Sequence, residues 1–222
     1  AMTAPTGRCR TFDQGADGYA RAEGVAAGTL LPSPRPNQSM FGADEEHTNL
    51  AWLGGAVRQD GARASLTAPN GLAQSILMHA SLSDAATAPD RVAVHEAHGT
   101  GTPLGDPIEA QSLFATMLAT RRVYDASLAV GSLKANTGHG EPSAALLGVV
   151  SLTMAIGSGH APPNAQLRAL NRFVRDIIAP SRSCGMIVAT TAALGGGRRG
   201  FGLDVSSEAC GGASSFGYSG TI

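Results

Sequence analysis

Residues 92–109 read VAVHEAHGTGTPLGDPIE and contain a short apolar segment, a Gly/Thr-rich loop and a helix start, in that order. Val92-Ala93-Val94 is typical of a short buried strand. At the other end of the stretch, Asp106 is placed as the N-cap of a helix and Glu109 lies in its first turn. That helix should run to about Arg122. The stretch therefore predicts a strand, a loop and a helix.

The same order recurs at residues 128–139, which read LAVGSLKANTGH. A strand is predicted at 128–133, and Glu141-Pro142 then opens a helix that reaches about Ile156. Strands that alternate with helices indicate an α/β layered fold. Further strands are predicted at 25–31, 51–57, 186–191 and 201–205, and a helix at 71–86 with Leu72, Ile76, Leu77 and Leu82 near one face.

Composition and charge exclude several functional classes. The 222 residues carry 16 basic and 17 acidic side chains and a net charge of -1, which disfavours nucleic acid or an anionic membrane surface as the partner. No 18 consecutive residues are apolar, so no membrane span is expected. The N-terminus lacks the profile of a signal peptide, and Cys9, Cys184 and Cys210 lack CxxC spacing. We therefore expect no metal site and a reducing compartment, cytoplasmic or organellar, and not a secreted protein.

Two loops that follow predicted strands each present a histidine, His98 in the first loop and His139 in the second. Because such loops meet at one edge of an α/β sheet, we expect the two imidazoles to lie side by side. Each neutral ring can donate one N–H to a carbonyl oxygen that develops negative charge. The second loop also holds Lys134, the only lysine among the 16 basic residues. A nearby ammonium disfavours protonation of an imidazole and would help to keep it neutral.

Other interpretations of the first loop fit less well. A zinc-protease motif needs two histidines four residues apart on a helix, whereas His95 and His98 are three apart at the end of a strand. A dinucleotide-binding loop needs G-x-G-x-x-G, whereas this loop has an additional residue before its last glycine and Pro103 inside it. A Gly/Thr turn with a buried polar histidine would be the simplest interpretation if the first loop stood alone.

Residues 95–113 resemble the ketosynthase motif of modular polyketide synthases, E-A-H-G-T-G-T-x-L-G-D-P-I-E-A-Q, at every fixed position. Residues 131–139 resemble that family's G-S-x-K-x-N-x-G-H motif. Four more regions resemble the same family in the same order, at 9–13 with 18–24, 59–61 with 67–71, 162–164 with 170–171, and 214–221. The resemblance covers nearly the whole chain from about Cys9 to Thr221, and six ordered motifs make it highly specific.

This resemblance implies the thiolase fold, in which two similar α/β halves pack as five layers. It also implies an enzyme that joins an acyl thioester to a malonyl-type unit on an acyl carrier protein. In that enzyme His98 and His139 would be the active-site histidines that stabilise the enolate formed when the extender loses carbon dioxide. Lys134 would orient and tune the His139 loop, and Phe216 would be the gating aromatic beside the acyl pocket. The predicted substrate-binding residues are Thr100, Thr102, Asn136 and Phe216. No cofactor is implied, because acyl groups arrive on the phosphopantetheine of the carrier protein.

The nucleophilic cysteine of the family is the largest departure. It sits in an Ala-Cys-Ser-Ser type elbow in the first half of the fold, and none of the three cysteines here has such surroundings. Residues 1–31 are therefore predicted to be the tail end of the first thiolase-like half. We expect residues 32–49 to be a loop or insertion and 50–222 to be the C-terminal ketosynthase half.

Two hypotheses on function stay open. The chain supplies the two-histidine site of a ketosynthase, as a fragment or as one chain of a split enzyme, or it is an inactive ketosynthase-like subunit kept for structure or assembly. An unrelated α/β binding protein is disfavoured by the six ordered motifs. Half of a thiolase-type sheet exposes a large apolar face, so we expect a covering partner: the missing half, another protein chain or a second copy.

Overall fold

The computed structural model describes residues 2–30, 50–61, 68–121, 127–179, 186–188, 201–202, 210–217 and 221. Five helices are present in these ranges: α1 Gly71–Asp84, α2 Gly105–Leu113, α3 Lys134–Thr137, α4 Ala144–Ser158 and α5 Arg172–Ile178. Six strands accompany them: β1 Val92–Glu96, β2 Leu128–Gly131, β3 His160–Ala161, β4 Met186–Val188, β5 Phe201–Gly202 and β6 Cys210–Ala213. The order of these elements confirms the predicted α/β class.

Four of the strands form one sheet in the order β4-β2-β1-β6. All three neighbouring pairs are parallel, and β1 pairs with β2 from Val94 opposite Ala129 to Glu96 opposite Gly131. Both central strands are buried over nearly their whole length, as expected for strands covered on both faces. The remaining pair, β3 and β5, is antiparallel.

Two hydrophobic clusters lie on opposite faces of the sheet. Leu128 and Val130 of β2 join the larger cluster, which includes residues of α1, α2 and α5. Ala129, between them in sequence, joins the smaller cluster, which includes Leu152 and Ala155 of α4. The alternation follows from the two-residue period of a strand, which sends successive side chains to opposite faces. The sheet therefore lies between α4 on one side and α1, α2 and α5 on the other.

Two of the predicted strands are wrong. Residues 25–30 and 51–57 form no regular strand, and Leu31 lies outside the described residues. Val25 is 96% exposed and Val57 is 72% exposed, so neither segment buries its branched side chains. A strand gains its stability from a neighbouring strand and from packing, which a short run of small residues does not guarantee.

The predicted helices also need correction. In α1 the buried face consists of Gln74, Leu77 and Met78, whereas Leu72 and Ile76 are exposed. The helix predicted to reach Arg122 is regular only over α2 and continues as a π-helical turn, Phe114–Leu118. Strands β4 and β5 match the start of the segments predicted at 186–191 and 201–205, and the remainder of both segments lies outside the described residues.

One segment of the described chain, Glu141–Ser158, is long and apolar enough to cross a membrane, with a mean hydropathy of 1.3. Length and composition alone are weak evidence, because a core helix meets the same criterion. Here Gly148, Leu152 and Ala155 of α4 are buried, and α4 packs against β1 and β6. On the outer side of α4, Met154 is 69% exposed. The covering partner expected from the sequence stays a prediction.

Strand β1 carries a buried histidine that makes folding sensitive to acid. His95 is 2% exposed, and its Nε2 lies 2.9 Å from Ser214 Oγ, just after β6. Burial lowers the pKa of His95 from 6.5 to about 4. The unfolded chain therefore binds a proton below pH 6.5 while the folded chain does not. This residue should reduce the free energy of unfolding by about 1.4 kcal/mol for each pH unit between these two values.

Urea denaturation between pH 7 and pH 5 tests this effect on the parent and on His95→Gln, which cannot titrate. Below pH 6.5 the free energy of unfolding of the parent should fall by about 1.4 kcal/mol per pH unit relative to that of His95→Gln. Ser214→Ala is the matched control, because it removes the hydrogen bond but keeps the buried imidazole and hence the pH dependence. Equal pH dependence of the parent and His95→Gln would contradict the assignment.

Candidate active site

The loops after β1 and β2 leave the sheet side by side. Because these strands are parallel neighbours with Glu96 opposite Gly131, both loops begin at the same edge of the sheet. The first loop, residues 97–104, carries His98, and the second, residues 132–140, carries Lys134 and His139. The structure therefore brings together the three residues that the sequence singled out.

The two imidazoles lie close and nearly perpendicular. Their ring centroids are 5.5 Å apart and their planes meet at 89°. The ring of Phe216 lies 5.4 Å from His98, and the ring of Tyr19 lies 5.2 Å from His139. Two histidines thus face one another between aromatic side chains, one of which the sequence predicted and one of which, Tyr19, it did not.

The tautomer of His98 follows from its neighbour. The backbone N–H of Phe216 donates to His98 Nδ1 over 3.3 Å, so Nδ1 is an acceptor and a neutral ring carries its proton on Nε2. Burial holds the pKa of His98 well below its usual range, and the positive charge of Lys134 and the neighbouring His139 act in the same direction. His98 is therefore a neutral N–H donor at pH 7.

His139 is held through its backbone. Its N–H donates to Ala20 O over 2.7 Å, and its carbonyl accepts from Ala22 N–H over 3.0 Å. Burial lowers the pKa of His139 to about 4, Lys134 adds to this effect and Glu141 opposes it. Its Nδ1 is buried and has no hydrogen-bond partner among the described residues. This ring is also neutral at pH 7.

Two buried carboxylates shape the first loop. Glu109 accepts hydrogen bonds from the N–H groups of His98 (2.7 Å) and Gly99 (2.8 Å). Asp106 accepts from Gly101 (3.0 Å) and from Phe12 (2.8 Å), which lies in the N-terminal segment. Asp106 is therefore not the N-cap predicted from the sequence, because its carboxylate faces the loop and the helix begins at Gly105. Three-residue spacing on α2 places both acids on one helix face, a signal present in the sequence.

Glycine is required at two points beside the histidines. Gly99 has φ +45°, and a Cβ there would lie 2.7 Å from side-chain carbons of both Ser132 and Thr11. Gly138 has φ +85°, and a Cβ there would lie 3.0 Å from the Ala22 side chain. Both the left-handed backbone and the close approach exclude larger residues. The loops can therefore pack against each other and against the N-terminal segment.

Lys134, in the second loop, is 4% exposed. Burial lowers its pKa, while the negative charges of Glu96, Glu109 and Asp106 oppose this effect. Its ammonium lowers the pKa of both histidines in turn. Glu96, the last residue of β1, was not singled out from the sequence, where a charged residue at a strand end has no distinctive pattern.

The predicted substrate-binding residues occupy different environments. Thr100 is buried in the first loop, and Phe216 is half-buried beside His98. Thr102 Oγ1 accepts from Gly105 N–H over 3.1 Å, and exposed Asn136 accepts from Ala165 N–H over 3.0 Å. Thr102 and Asn136 therefore also fix the backbone around the site. Their contact with a substrate stays a prediction.

Cys9 lies beside this site, where it interacts with Lys134 and with the backbone of His139. It is 2% exposed, and its Sγ lies 3.2 Å from Ala20 N. Burial raises its pKa, although the Ala20 hydrogen bond and Lys134 act in the opposite direction. A raised pKa disfavours the thiolate that a nucleophile needs. Cys210 lies in β6, and Cys184 lies outside the described residues.

Comparisons with known families agree with this geometry. The sequence model described as "Beta-ketoacyl synthase, C-terminal domain" matches residues 51–168, and the one described as "Beta-ketoacyl synthase, N-terminal domain" matches residues 1–34. The C-terminal match contains His98, Lys134 and His139.

Proteins of similar sequence include bacterial polyketide synthases. The chain is 39% identical over 170 residues to a phenolphthiocerol/phthiocerol polyketide synthase of Mycobacterium tuberculosis, covering 77% of this chain and 9% of that protein. It is 45% identical over 166 residues to a spectinabilin polyketide synthase system protein of Streptomyces orinoci, covering 73% and 4%. The chain thus spans a tenth or less of the length of these relatives.

Among solved structures, the ketosynthase from module 6 of the bacillaene synthase of Bacillus subtilis aligns with a TM-score of 0.73 and 26% identity. The alignment covers 99% of this chain and 37% of that one. The described sheet and helices are thus a portion of the thiolase-like fold. With a family match over more than half of its length and the two-histidine site in place, this chain belongs to the beta-ketoacyl synthase family.

Proposed function

We propose that this chain supplies the two-histidine half of a ketosynthase active site. The reaction is the decarboxylative Claisen condensation of an acyl thioester with a malonyl-type extender on an acyl carrier protein. One observation carries the proposal: two neutral imidazoles face each other with centroids 5.5 Å apart, and one of them has its N–H placed on Nε2 by the Phe216 backbone.

The two donors suit the charge that develops in the first step. When the bond between the malonyl α-carbon and its carboxylate breaks, carbon dioxide leaves and the electron pair becomes an enolate on the thioester. Two N–H groups directed at that oxygen stabilise the negative charge, and each such donor contributes roughly 10²–10³ in rate in comparable sites. Imidazolium would be less suitable than imidazole here, because its excess proton would quench the enolate carbon.

The second step needs a group from outside these 222 residues. The enolate carbon attacks the carbonyl of an acyl group bound to a cysteine, the new carbon–carbon bond forms, and the cysteine leaves as thiolate. None of Cys9, Cys184 or Cys210 lies in a nucleophile elbow motif. We assign that cysteine to the first half of the ketosynthase domain.

The setting of the reaction is inferred from the relatives. They are polyketide synthases, so we propose that the extender is carried on the phosphopantetheine of an acyl carrier protein and that the product is a polyketide chain. Substrate contacts are assigned to Thr100, Thr102, Asn136 and Phe216. The buried free thiol of Cys9 supports a reducing compartment, cytoplasmic or organellar.

The chain alone should not become acylated. Buried Cys9 has a raised pKa, and the other two cysteines have no activating motif. Intact-mass measurement after incubation with acyl-thioester donors should show only the unmodified protein. A stoichiometric acyl adduct on any of the three cysteines would contradict this prediction and identify that cysteine as the nucleophile.

Malonyl decarboxylation should appear when the first half of a ketosynthase is co-expressed with this chain. That half supplies the wall that excludes water and holds the substrate, and it brings back condensation if it carries the elbow cysteine. Release of carbon dioxide and of β-ketoacyl product are the two measurements.

His98→Ala and His139→Ala should each reduce decarboxylation by roughly 10²–10³. Because both rings have lowered pKa values, activity should not fall between pH 7 and pH 6.

The alternative function, an inactive subunit kept for structure or assembly, has a distinct outcome in the same experiment. A complex that forms but decarboxylates equally well with and without His98→Ala or His139→Ala would show that these histidines carry no chemistry. Ser214→Ala serves as the control variant for the neighbouring strand, since its hydroxyl contacts His95 and not the facing pair.

A further inference from the structure

We propose that Glu96 is a positioning residue of the two-histidine site, which holds the Lys134 turn in place and supplies the negative charge that keeps the Lys134 ammonium protonated. Glu96 is the last residue of β1 and is 6% exposed. The inference rests on the proposed function, because it assigns a role to a residue that acts on the histidines through Lys134.

The carboxylate of Glu96 joins the two strand-end loops. Its Oε1 accepts a hydrogen bond from Leu133 N–H over 2.7 Å, at the residue that precedes Lys134 and caps α3. The hydroxyl of Ser151 on α4 acts to lower the pKa of Glu96. A carboxylate at the end of β1 therefore fixes the backbone from which the only lysine projects.

Helix α4 is shaped to receive this side chain. Gly148 and Ser151 lie one turn apart on its buried face. A Cβ at Gly148 would lie 3.1 Å from Glu96 Cγ, so a larger residue would push the carboxyl group away. The helix thus leaves room for a buried acid at this point.

Glu96 differs from the two other acids near the lysine. Glu109 and Asp106 use both of their oxygens on backbone N–H groups of the first loop and of the N-terminal segment. Of these three acids, Glu96 is the one that binds the second loop, where Lys134 is located. Burial lowers the Lys134 pKa, and of the negative charges that act to raise it, that of Glu96 has the largest effect.

The electrostatic consequence extends to the histidines. The titratable groups around Lys134 are Glu96, Glu109, Asp106, Cys9 and the two imidazoles. A protonated Lys134 lowers the pKa of both rings, so loss of its proton would weaken their preference for the neutral state. Burial raises the pKa of Glu96 to about 7, while Leu133 N–H and Lys134 act against it. Ionised Glu96 therefore supports the ammonium at and above neutral pH.

The test uses the single lysine of the chain. With ¹³C-labelled lysine, the side-chain ε-carbon signal belongs to Lys134 alone, and its pH titration gives the Lys134 pKa directly. In Glu96→Gln the hydrogen bond from Leu133 N–H can persist but the charge is lost. The Lys134 titration midpoint should shift to lower pH, because Glu96 is the acid that most raises the Lys134 pKa against the effect of burial.

Glu141→Gln is the matched control. It removes an acid that lies in the same loop region, is exposed and pairs with Arg21 rather than with Lys134. Its Lys134 titration should equal that of the parent. An unchanged Lys134 midpoint in a folded Glu96→Gln protein would overturn the proposal and leave Glu96 as a structural cap only.

If Glu96→Gln does not fold, the parent protein still decides. Ionisation of Glu96 should shift the Leu133 amide signal in a titration step near pH 7, because Glu96 Oε1 accepts its hydrogen bond. The absence of this step at Leu133 would overturn the proposal.

A parent complex without any activity would refute the proposed function, whereas the Lys134 titration would still test Glu96.

Discussion

One ammonium group, that of Lys134, lies among three buried carboxylates, and the geometry of both site loops depends on this arrangement. Taking a charge out of water is costly unless other charges and hydrogen bonds compensate for it. Here Glu96, Glu109 and Asp106 provide the opposite charges, and each also accepts at least one backbone N–H. The same groups that make a buried lysine tolerable therefore hold the backbone of the site. Arginine, with a larger planar head group, is not an equivalent substitute for a compact ammonium.

The chemical properties of the histidines follow from this network. Burial and the positive charge of Lys134 both lower the pKa of each ring, so two effects favour the neutral imidazole. The orientation of His98 is also fixed, because Glu109 accepts its backbone N–H and the Phe216 N–H donates to its Nδ1. Neutral donors with fixed orientation are the requirement for stabilising an enolate without protonating it. The parallel pairing of β1 and β2 brings the two donors to one sheet edge.

Much of this could be predicted from the sequence, and the exceptions have physical reasons. The strand-loop-helix pattern placed β1, β2 and α4 correctly and implied that His98 and His139 meet. The segments at 25–31 and 51–57 were predicted as strands because of local composition, but strand formation depends on a partner that composition does not reveal. Leu72 and Ile76 were predicted to lie near one face with Leu77 and Leu82, but both are exposed, and the buried face consists of Gln74, Leu77 and Met78. Asp106 does not cap the helix, because its carboxylate accepts hydrogen bonds from Phe12 and Gly101, which lie outside the helix.

The proposed chemistry requires that both imidazoles are neutral and that the proton of His98 is on Nε2. A long-range ¹H–¹⁵N correlation spectrum of the histidine rings at pH 7 measures both properties for each ring. We expect His98 to show a protonated Nε2 and an unprotonated Nδ1, and neither His98 nor His139 to show the signals of an imidazolium. A protonated His98 Nδ1, or an imidazolium at either residue, would contradict this description of the site.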